Sequence, residues 1–498
     1  MSLNGALSVA NSGLANVQAQ FAVVSQNVAN ASTPGYATET ATQQAITAGG
    51  QGMGVLTGPT MRQVNAALEA SLTAQNSTVS GLQTQQSALQ AIDAVQGAVG
   101  SGNDLASQLG NLQSQFSTLL GNPGSQAAQT AVVGAAQTLA QGINSLGAAY
   151  TSQRQTAEDN IVSEVGTVNT TLGTIGSLSK QIISLKADGQ STADLENQRD
   201  AAVQSLSQLV SVQTLQQPNG DMLVMTSGGA SLPIHSPDPL SVTGANMEPG
   251  SFYAQPGSVP AGTVPGIMLG TTDVTGQLQG GQIGANITLR DTTMPTFTGE
   301  LDEFSQNLAS VFKAAGVTLF SNSSGNVPQP ATTPPVQAQY VGFSSEIQVN
   351  PAVQGNPSGV VNGYPVNGNT GGLAGYTATV SSVLAALNTA TPTNVQGLGV
   401  TGTLAAPYGG SSPASMTLSA LAGTMVSAQS QASATVTDQI NTEQAVQTTL
   451  SSQLTSQDGV SLDAQMSLMI QLQNAYGANA KVMSTVQTMF TALLNTVS

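Results

Sequence analysis

Few side chains in this sequence are equipped for covalent or acid–base chemistry. There is one histidine, His235, and no cysteine in 498 residues. His235 lies in Pro233-Ile234-His235-Ser236-Pro237, a loop-like context in which an imidazole is usually solvated. Zinc sites of the common His/Cys kinds, HExxH included, need more ligands than that. A Ser-His-Asp triad would have to use His235, and no G-x-S-x-G elbow is present to expose the serine. Gly49, Gly50, Gly52 and Gly54 lack the dinucleotide spacing and read as a turn or hairpin. Carboxylates are paired at Glu158/Asp159, Asp194/Glu196 and Asp302/Glu303. Two acids flanking a cleft can hydrolyse a glycoside, but such clefts carry aromatics, and the chain has no Trp and only 3% aromatic residues. These pairs therefore read as solvated helix faces. No catalytic residue, no cofactor and no metal is assigned, and the chain is not expected to be an enzyme.

Composition narrows the class further. Only 6% of residues are charged, and the formal net charge is −16. Nucleic-acid binding needs clustered cations, whereas the eight here are scattered between Arg62 and Lys481. Without cysteine, stability must come from packing or assembly rather than disulfides. Residues 1–30 contain neither a basic flank nor a continuous apolar core, so they do not read as a cleaved signal peptide. No run approaches the roughly 20 apolar residues of a membrane span. The expectation is a protein that stays in the cytoplasm or leaves by a route that cleaves no signal.

The apolar residues fall on helical periods. Leu3, Leu7, Ala10, Leu14, Val17, Phe21, Val24 and Val28 alternate in steps of four and three, which is a heptad seam. Their flanks are Asn, Ser, Gln and Ala rather than Lys and Glu, which suits a helix surrounded by other helices. The far end mirrors this with Leu462, Met466, Met469, Tyr476, Ala480, Met483, Phe490, Leu494 and Val497. The two uncharged seams are expected to pair. Pro34-Gly35 should end the first helix in a type II turn. Further helical periods run from Val64 to Ile92, Leu105 to Leu119, Ile161 to Leu185 and Leu195 to Val210, across residues 298–315, and from Met416 onward with a break at Gln457-Asp458-Gly459. Short strand-like runs flank Pro218-Asn219-Gly220, and residues 231–279 and 321–413 are rich in Pro, Gly, Ser and Thr.

This pattern predicts a multidomain α+β chain. Residues 1–47 and 458–498 would form a terminal coiled-coil assembly domain, and residues 48–212, 280–320 and 414–457 a mainly helical inner domain. Residues 213–279 would form an inserted β-rich domain, and residues 321–413 a variable β-rich outer one. A lone helix of about thirty residues with such a seam is marginal in water, so the terminal helices are expected to order fully only when packed.

Four stretches carry a family resemblance. Asn27-Val28-Ala29-Asn30-Ala31-Ser32-Thr33-Pro34-Gly35-Tyr36 and Tyr476-Gly477-Ala478-Asn479-Ala480-Lys481-Val482 resemble the shared terminal motifs of bacterial flagellar rod, hook and hook-associated proteins. Inside the chain, Asp194-Leu195-Glu196-Asn197-Gln198-Arg199-Asp200 and Gly280-Gly281-Gln282-Ile283-Gly284 through Leu289-Arg290-Asp291 resemble segments typical of the hook-associated protein 1 family. What the resemblance implies is a secreted structural subunit of the extracellular flagellum, at the junction of hook and filament. It implies export in the unfolded state by the flagellar type III route. It implies as partners copies of itself in a ring, the hook protein, the next hook-associated protein, and an export chaperone on the C-terminal helix. A hook or rod subunit, or a secreted type III translocator or adhesin, is the alternative. An enzyme hidden in residues 321–413 is disfavoured, because that stretch has no His, Cys or Lys.

Overall fold

The computed structural model describes residues 3–33, 35–48, 51–97, 100–235, 239–258, 261–328, 340–365, 375–392 and 415–497. About 66% of the described residues are helical, with small sheets. Helix α1 (Leu3–Ala29) leads into a long antiparallel hairpin, β1 (Glu39–Ala48) and β2 (Gln51–Arg62), which confirms the hairpin reading of the glycine-rich stretch. Four helices follow: α2 (Ala66–Gln96), α3 (Leu105–Gly121), α4 (Gln126–Ala187) and α5 (Ala193–Leu209). The starts of α2, α3 and α4 are set by Asn65, Asp104 and Ser125, whose side chains accept from the backbone N–H three residues on.

Strands β3 (Val212–Gln216), β4 (Met222–Thr226) and β5 (Ser231–Leu232) make one small antiparallel sheet. Strands β6 (Leu240–Ser241), β7 (Met268–Leu269) and β8 (Thr272–Asp273) make a second. Helix α6 (Gly281–Thr288) passes through a π-helical turn (Leu289–Thr293) into α7 (Met294–Ala314). Gly281 sits at φ +62°, and a Cβ there would stand 2.5 Å from the backbone carbon of Leu209, so only glycine fits this contact of α6 with the end of α5.

The next region holds β9 (Phe320–Ser321), α8 (Phe343–Glu346), β10 (Gln348–Val349), α9 (Pro351–Gly355), α10 (Gly359–Asn362), α11 (Ala378–Leu387), β11 (Thr391–Pro392) and β12 (Ser415–Met416). Its described residues are therefore mainly short helices joined by two-residue strands, rather than the strand-rich texture read from the sequence. Phe343, Ile347, Val353, Val360 and Val383 also join the main core rather than a core of their own. Short apolar runs broken by Pro and Gly do not distinguish one-turn helices from strands. The chain closes with α12 (Leu418–Asp458) and α13 (Leu462–Val497), separated at the expected break.

Two hydrophobic cores are threaded by one spine. Helix α4 has 62 residues, roughly 90 Å at 1.5 Å per residue. Its first half, from Val132 to Ala157, packs with α3, α7 and α12. There Phe116, Phe312 and Phe320 make consecutive ring contacts, with centroids 5.6 and 5.3 Å apart. Its second half, from Ile161 to Ile175, packs with α5, α6 and both small sheets. Between α2 and α12 the joinery is largely amide. Gln75 donates to Glu443, Gln86 to Thr437, Gln96 to the carbonyl of Val426, and Gln447 to Asn76.

Asp159 and Asp194 are exposed, as the solvated-face reading expects, but Glu158, Asp302 and Glu303 correct it. Glu158 is fully buried and bonded to Arg290 at 2.7 Å. Asp302 and Glu303 are buried on α7 beside Glu300. Asp302 accepts from the backbone N–H groups of Gly342 and Ser344, which holds the acid inside where the sequence pattern predicted a wet surface.

Burial raises Glu164 and Glu300 to about 7 and Asp302 to about 6. Each carboxyl then binds its proton more tightly folded than unfolded. Its contribution is undiminished below the unfolded carboxylate range and is eroded as pH rises from about 4.5 through about 7. Full ionisation of either glutamate costs about 3 kcal/mol at most. The urea midpoint is expected to be higher near pH 5.5 than near pH 8. Replacing both Glu164 and Glu300 with Gln should flatten that profile, and a flat wild-type profile would refute the burial argument.

Candidate functional site

The two ends of the chain form one structure. Helices α1 and α13 run antiparallel, with Asn27 facing Gln465 at one end and Gly13 facing Asn479 towards the other. A Cβ on Gly13 would stand 3.1 Å from the Asn479 amide, so the glycine permits this close approach. Val17, Val24 and Leu472 form the buried seam, with Phe21, Val28, Met469 and Ala475 packed around it.

The predicted seam residues are divided by this packing. Val17 and Val24 are buried, and Leu7, Leu14, Met483, Ala480 and Phe490 are half-buried. Leu462, Met466, Tyr476 and Leu494 are exposed, Leu494 by 67%. Leu3 and Val497 are helical, and their side chains lie outside the described residues, as does Pro34. In place of the exposed positions, Gln465, Leu472 and Val486 are the buried ones on α13, Gln465 and Leu472 against α1. The apolar stripe of α13 is wider than one seam, and α1 takes only one edge of it. The outer edge, from Leu462 and Met466 to Leu493 and Leu494, faces solvent.

At the base of this pair is a joint built on Asn27, which is 1% exposed. Its Nδ2 donates to the Glu39 carbonyl at 2.8 Å and to Gln465 Oε1 at 3.3 Å. Its Oδ1 accepts from the Glu39 N–H at 3.0 Å and the Tyr36 hydroxyl at 3.1 Å. Two donors and two acceptor positions are the full capacity of an amide. Asn27 thus pairs with the first residue of β1 as a neighbouring strand would. Between them, Asn30 donates to Gln26 and accepts from Thr33. Gly35 at φ +77° lets Tyr36 N–H return to the Thr33 carbonyl, the closure expected of the turn. Burial and the adjacent Glu39 push the Tyr36 phenol upward, so it stays a hydrogen-bond donor at any ordinary pH.

A second layer fastens the joint to the inner helices. Arg62, at the end of β2, donates to Glu196 at 3.1 Å, Asn197 at 3.0 Å and Asp200 at 2.6 Å on α5. Asn197 returns to Ala37 and Glu39. At the end of α12, Asp458 accepts from the backbone of Thr38 and Asn65, while Thr38 Oγ1 donates to Gly459. Beside this layer is a cleft of about 310 Å³, walled by Tyr36, Leu72 and Leu454 and carrying Arg62, Glu69 and Asp458. Burial, then the charge of Asp200, raises Glu69 to about 7.

The interior motif residues are also placed. Asp194 and Gln198 are exposed and bonded to each other. Arg199 is buried and donates to the Gly220 carbonyl, tying α5 to the β3–β4 turn. Arg290 and Asp291 lie in the π-helical turn. Arg290 pairs with Glu158 and Asp291 and has its guanidinium carbon 5.7 Å from the Tyr253 ring centre. Arg154 donates to the Arg290 carbonyl and to the carbonyls of Glu248 and Ser251, anchoring the loop before β7. His235 bonds to Asp221 at 2.9 Å.

Sequence reasoning missed Arg62, Glu39, Asn197 and Asp458 as site residues. In so weakly charged a chain, isolated charges beside motif positions were the available signal. Among the described residues, no three His, Asp or Glu side chains converge as a metal site, and no helix is long and apolar enough to cross a membrane.

Three family models match separate parts of the chain. Residues 89–326 match the flagellar hook-associated protein FlgK helical domain. Residues 452–496 match the C-terminal model of the flagellar basal body rod FlgEFG proteins, and residues 7–36 match the flagella basal body rod protein model. The terminal matches coincide with α13 and α1 and are to models of flagellar axial proteins. With its interior match, the chain is similar over about half of its length to the flagellar hook-associated protein 1 family.

Curated relatives with that name are 30% identical over 234 residues in Salmonella typhimurium, 28% over 230 in Escherichia coli and 25% over 241 in Bacillus subtilis. Those matches cover 45, 45 and 46% of this chain and 41, 42 and 47% of the relatives respectively, so the matched stretch spans less than half the length of each. A solved structure of the flagellar hook junction protein FlgK from Burkholderia pseudomallei is 25% identical, covers 52% of this chain and 45% of that one, and aligns with a TM-score of 0.41.

Asn27→Ala should strand the Tyr36 hydroxyl, Gln465 and both backbone groups of Glu39, at on the order of 1–3 kcal/mol for each group left dry. Hydrogen exchange at the Glu39 amide is expected to accelerate markedly, with helicity of α1 and α13 lost before the inner bundle melts. Unchanged protection at Glu39 would show that the amide does not hold the joint.

Proposed function

We propose that the chain is a structural, non-enzymatic subunit of the bacterial flagellum that forms the junction between hook and filament. The observation that carries this reading is the combination of axial-type ends with a hook-associated interior in one chain. The antiparallel pair α1–α13 leaves an apolar edge uncovered, with Leu493 57% and Leu494 67% exposed. Burying such side chains between copies stabilises by about 1.5–3 kcal/mol each, which offsets the entropy of ordering the ends. Uncharged Gln, Asn and Ser flanks allow this without stranding charge at the interface.

In this reading α1 and α13 are the coiled-coil assembly element. The predicted seam from Leu7 to Val28 and from Leu462 to Phe490 supplies both the intramolecular and the intermolecular face. The inner helices and the small sheets are lobes hung on that element. Copies form a ring, contacting the hook protein on one side and the next hook-associated protein on the other. The subunit travels unfolded through the flagellar type III channel, with a chaperone covering α13 beforehand. The localisation is the extracellular flagellum.

Deletion of the gene, followed by electron microscopy of the cells and assay of the medium, tests this. Hooks without filaments, with filament subunits shed into the medium, are expected. Normal filaments would refute the reading, and incomplete hooks would assign the chain to hook or rod instead.

A further inference from the structure

The cleft at the joint has an unspent charge. Among the described residues the Glu69 carboxylate makes no hydrogen bond or ion pair, whereas the other acids beside it are engaged: Asp200 and Glu196 by Arg62, and Asp458 by the Asn65 N–H. The charged groups around Glu69 are Arg62 from β2, Asp200 and Arg199 from α5, and Asp458 from α12. Both arginines are already committed, Arg62 to α5 and Arg199 to the Gly220 carbonyl. The walls beside Glu69 are apolar, from Leu72 and Leu454. A cleft of about 310 Å³ in which Leu72, Leu454 and Val460 stand beside the uncommitted Glu69 carboxylate, with Arg62 and Asp458 already engaged, fits an alkyl ammonium, whose stem packs on the apolar part of the wall while its head meets the charge.

The chain itself has such groups. All four arginines, Arg62, Arg154, Arg199 and Arg290, are bonded within their own chain. The exposed cations are lysines. Lys481 stands roughly 30 Å along α13 from its start, and Lys313 ends α7 beside the first core. Lys180 and Lys186 lie instead on the last turns of α4, just before the loop into α5, and both are exposed.

Helix α5 separates these lysines from the cleft. Its Asp200 and Gln204 face the joint, while Arg199, Val203 and Leu206 face α4 and the first small sheet. Lys186 lies against Gly220 on that far side. The cleft and the lysine pair thus stand at one level of the molecule, on opposite sides of one helix. Two different complementary patches at one level make a heterologous contact, which repeats head to tail and closes into a ring where the rotation allows and into a helical array where it does not.

The geometry points to a lysine socket: the cleft beside Glu69 receives Lys180 or Lys186 from the α4 end of a second copy, joining neighbours side by side. The inference rests on the junction reading above and adds the residues of the lateral contact. The near-neutral Glu69 carboxyl gives the contact a proton signature, since an arriving ammonium favours the ionised form and releases a proton.

Zero-length carbodiimide coupling of isolated hook–filament structures tests this, because it joins carboxylates to amines only in direct contact. Cells would co-express one copy carrying Glu69→Gln and another carrying Lys180→Arg and Lys186→Arg. In that mixture an amide between Glu69 and an α4 lysine can form only between copies. Peptide mass spectrometry should find this link in wild-type structures and in the mixture, and lose it when every copy carries Glu69→Gln. Loss of the link in the mixture, or coupling of Glu69 to another protein's lysine, would overturn the socket. If the chain itself is missing from the isolated structures, the junction reading falls with it. If the chain is present and Glu69 is uncoupled, the socket alone falls.

Discussion

The arrangement of the whole chain depends on one buried amide. Helix α1 must turn back, enter β1 and still hold α13, which arrives from the other end of the sequence. Asn27 meets all three demands with the four hydrogen bonds of a single side chain. A carboxylate at this position would lack both donors, and an apolar side chain would leave Glu39, Tyr36 and Gln465 unsatisfied in a dry site. The joint explains why Asn27, Asn30, Gly35 and Tyr36 occur together. They form one turn and one hydrogen-bonded knot, and each loses its purpose without the others.

Scarcity of charge gives each ion pair a structural task. Arg62 ties the hairpin to α5, Arg199 ties α5 to the first small sheet, and Arg154 and Arg290 tie the π-helical turn and its neighbouring loop to α4. Removing one partner of such a buried pair leaves the other uncompensated, which costs far more than the intact pair contributes. Elsewhere amides replace charges, as between α2 and α12. These bonds are individually modest and insensitive to salt. The outer surface of α1 carries no charge and that of α13 only Asp463 and Lys481, so further helices can pack on most of them with little desolvation cost.

Much of the helical content was legible because period 3.6 is a local property. Runs such as Ile161 to Leu185 and Leu195 to Val210 announce themselves. The two terminal motifs were also legible, with Asn27 and Tyr36 among their residues. The face of α13 was less so. Its apolar residues satisfy more than one heptad register, and only the partner helix decides that Leu472 is covered while Met466 and Leu494 are not. The burial of Glu158, Asp302 and Glu303 was read wrongly. A helix pattern cannot reveal that Arg290 arrives from a π-helical turn 132 residues away, or that the backbone at Gly342 supplies donors to Asp302.

By itself the sequence determined most of the long helical runs, the uncharged seams at both ends, the break at Asp458-Gly459 and the single His with no Cys. These follow from spacing and residue type alone. The tertiary structure decided that α4 is one spine through two cores, that described parts of residues 320–392 share the first of them, and that Arg62, Glu69 and Asp458 meet at the joint. The physical reason is distance along the chain. Periodicity encodes which face of a helix avoids water, but a buried ion pair or a shared cleft is defined by partners hundreds of residues apart, and only the folded packing brings them together.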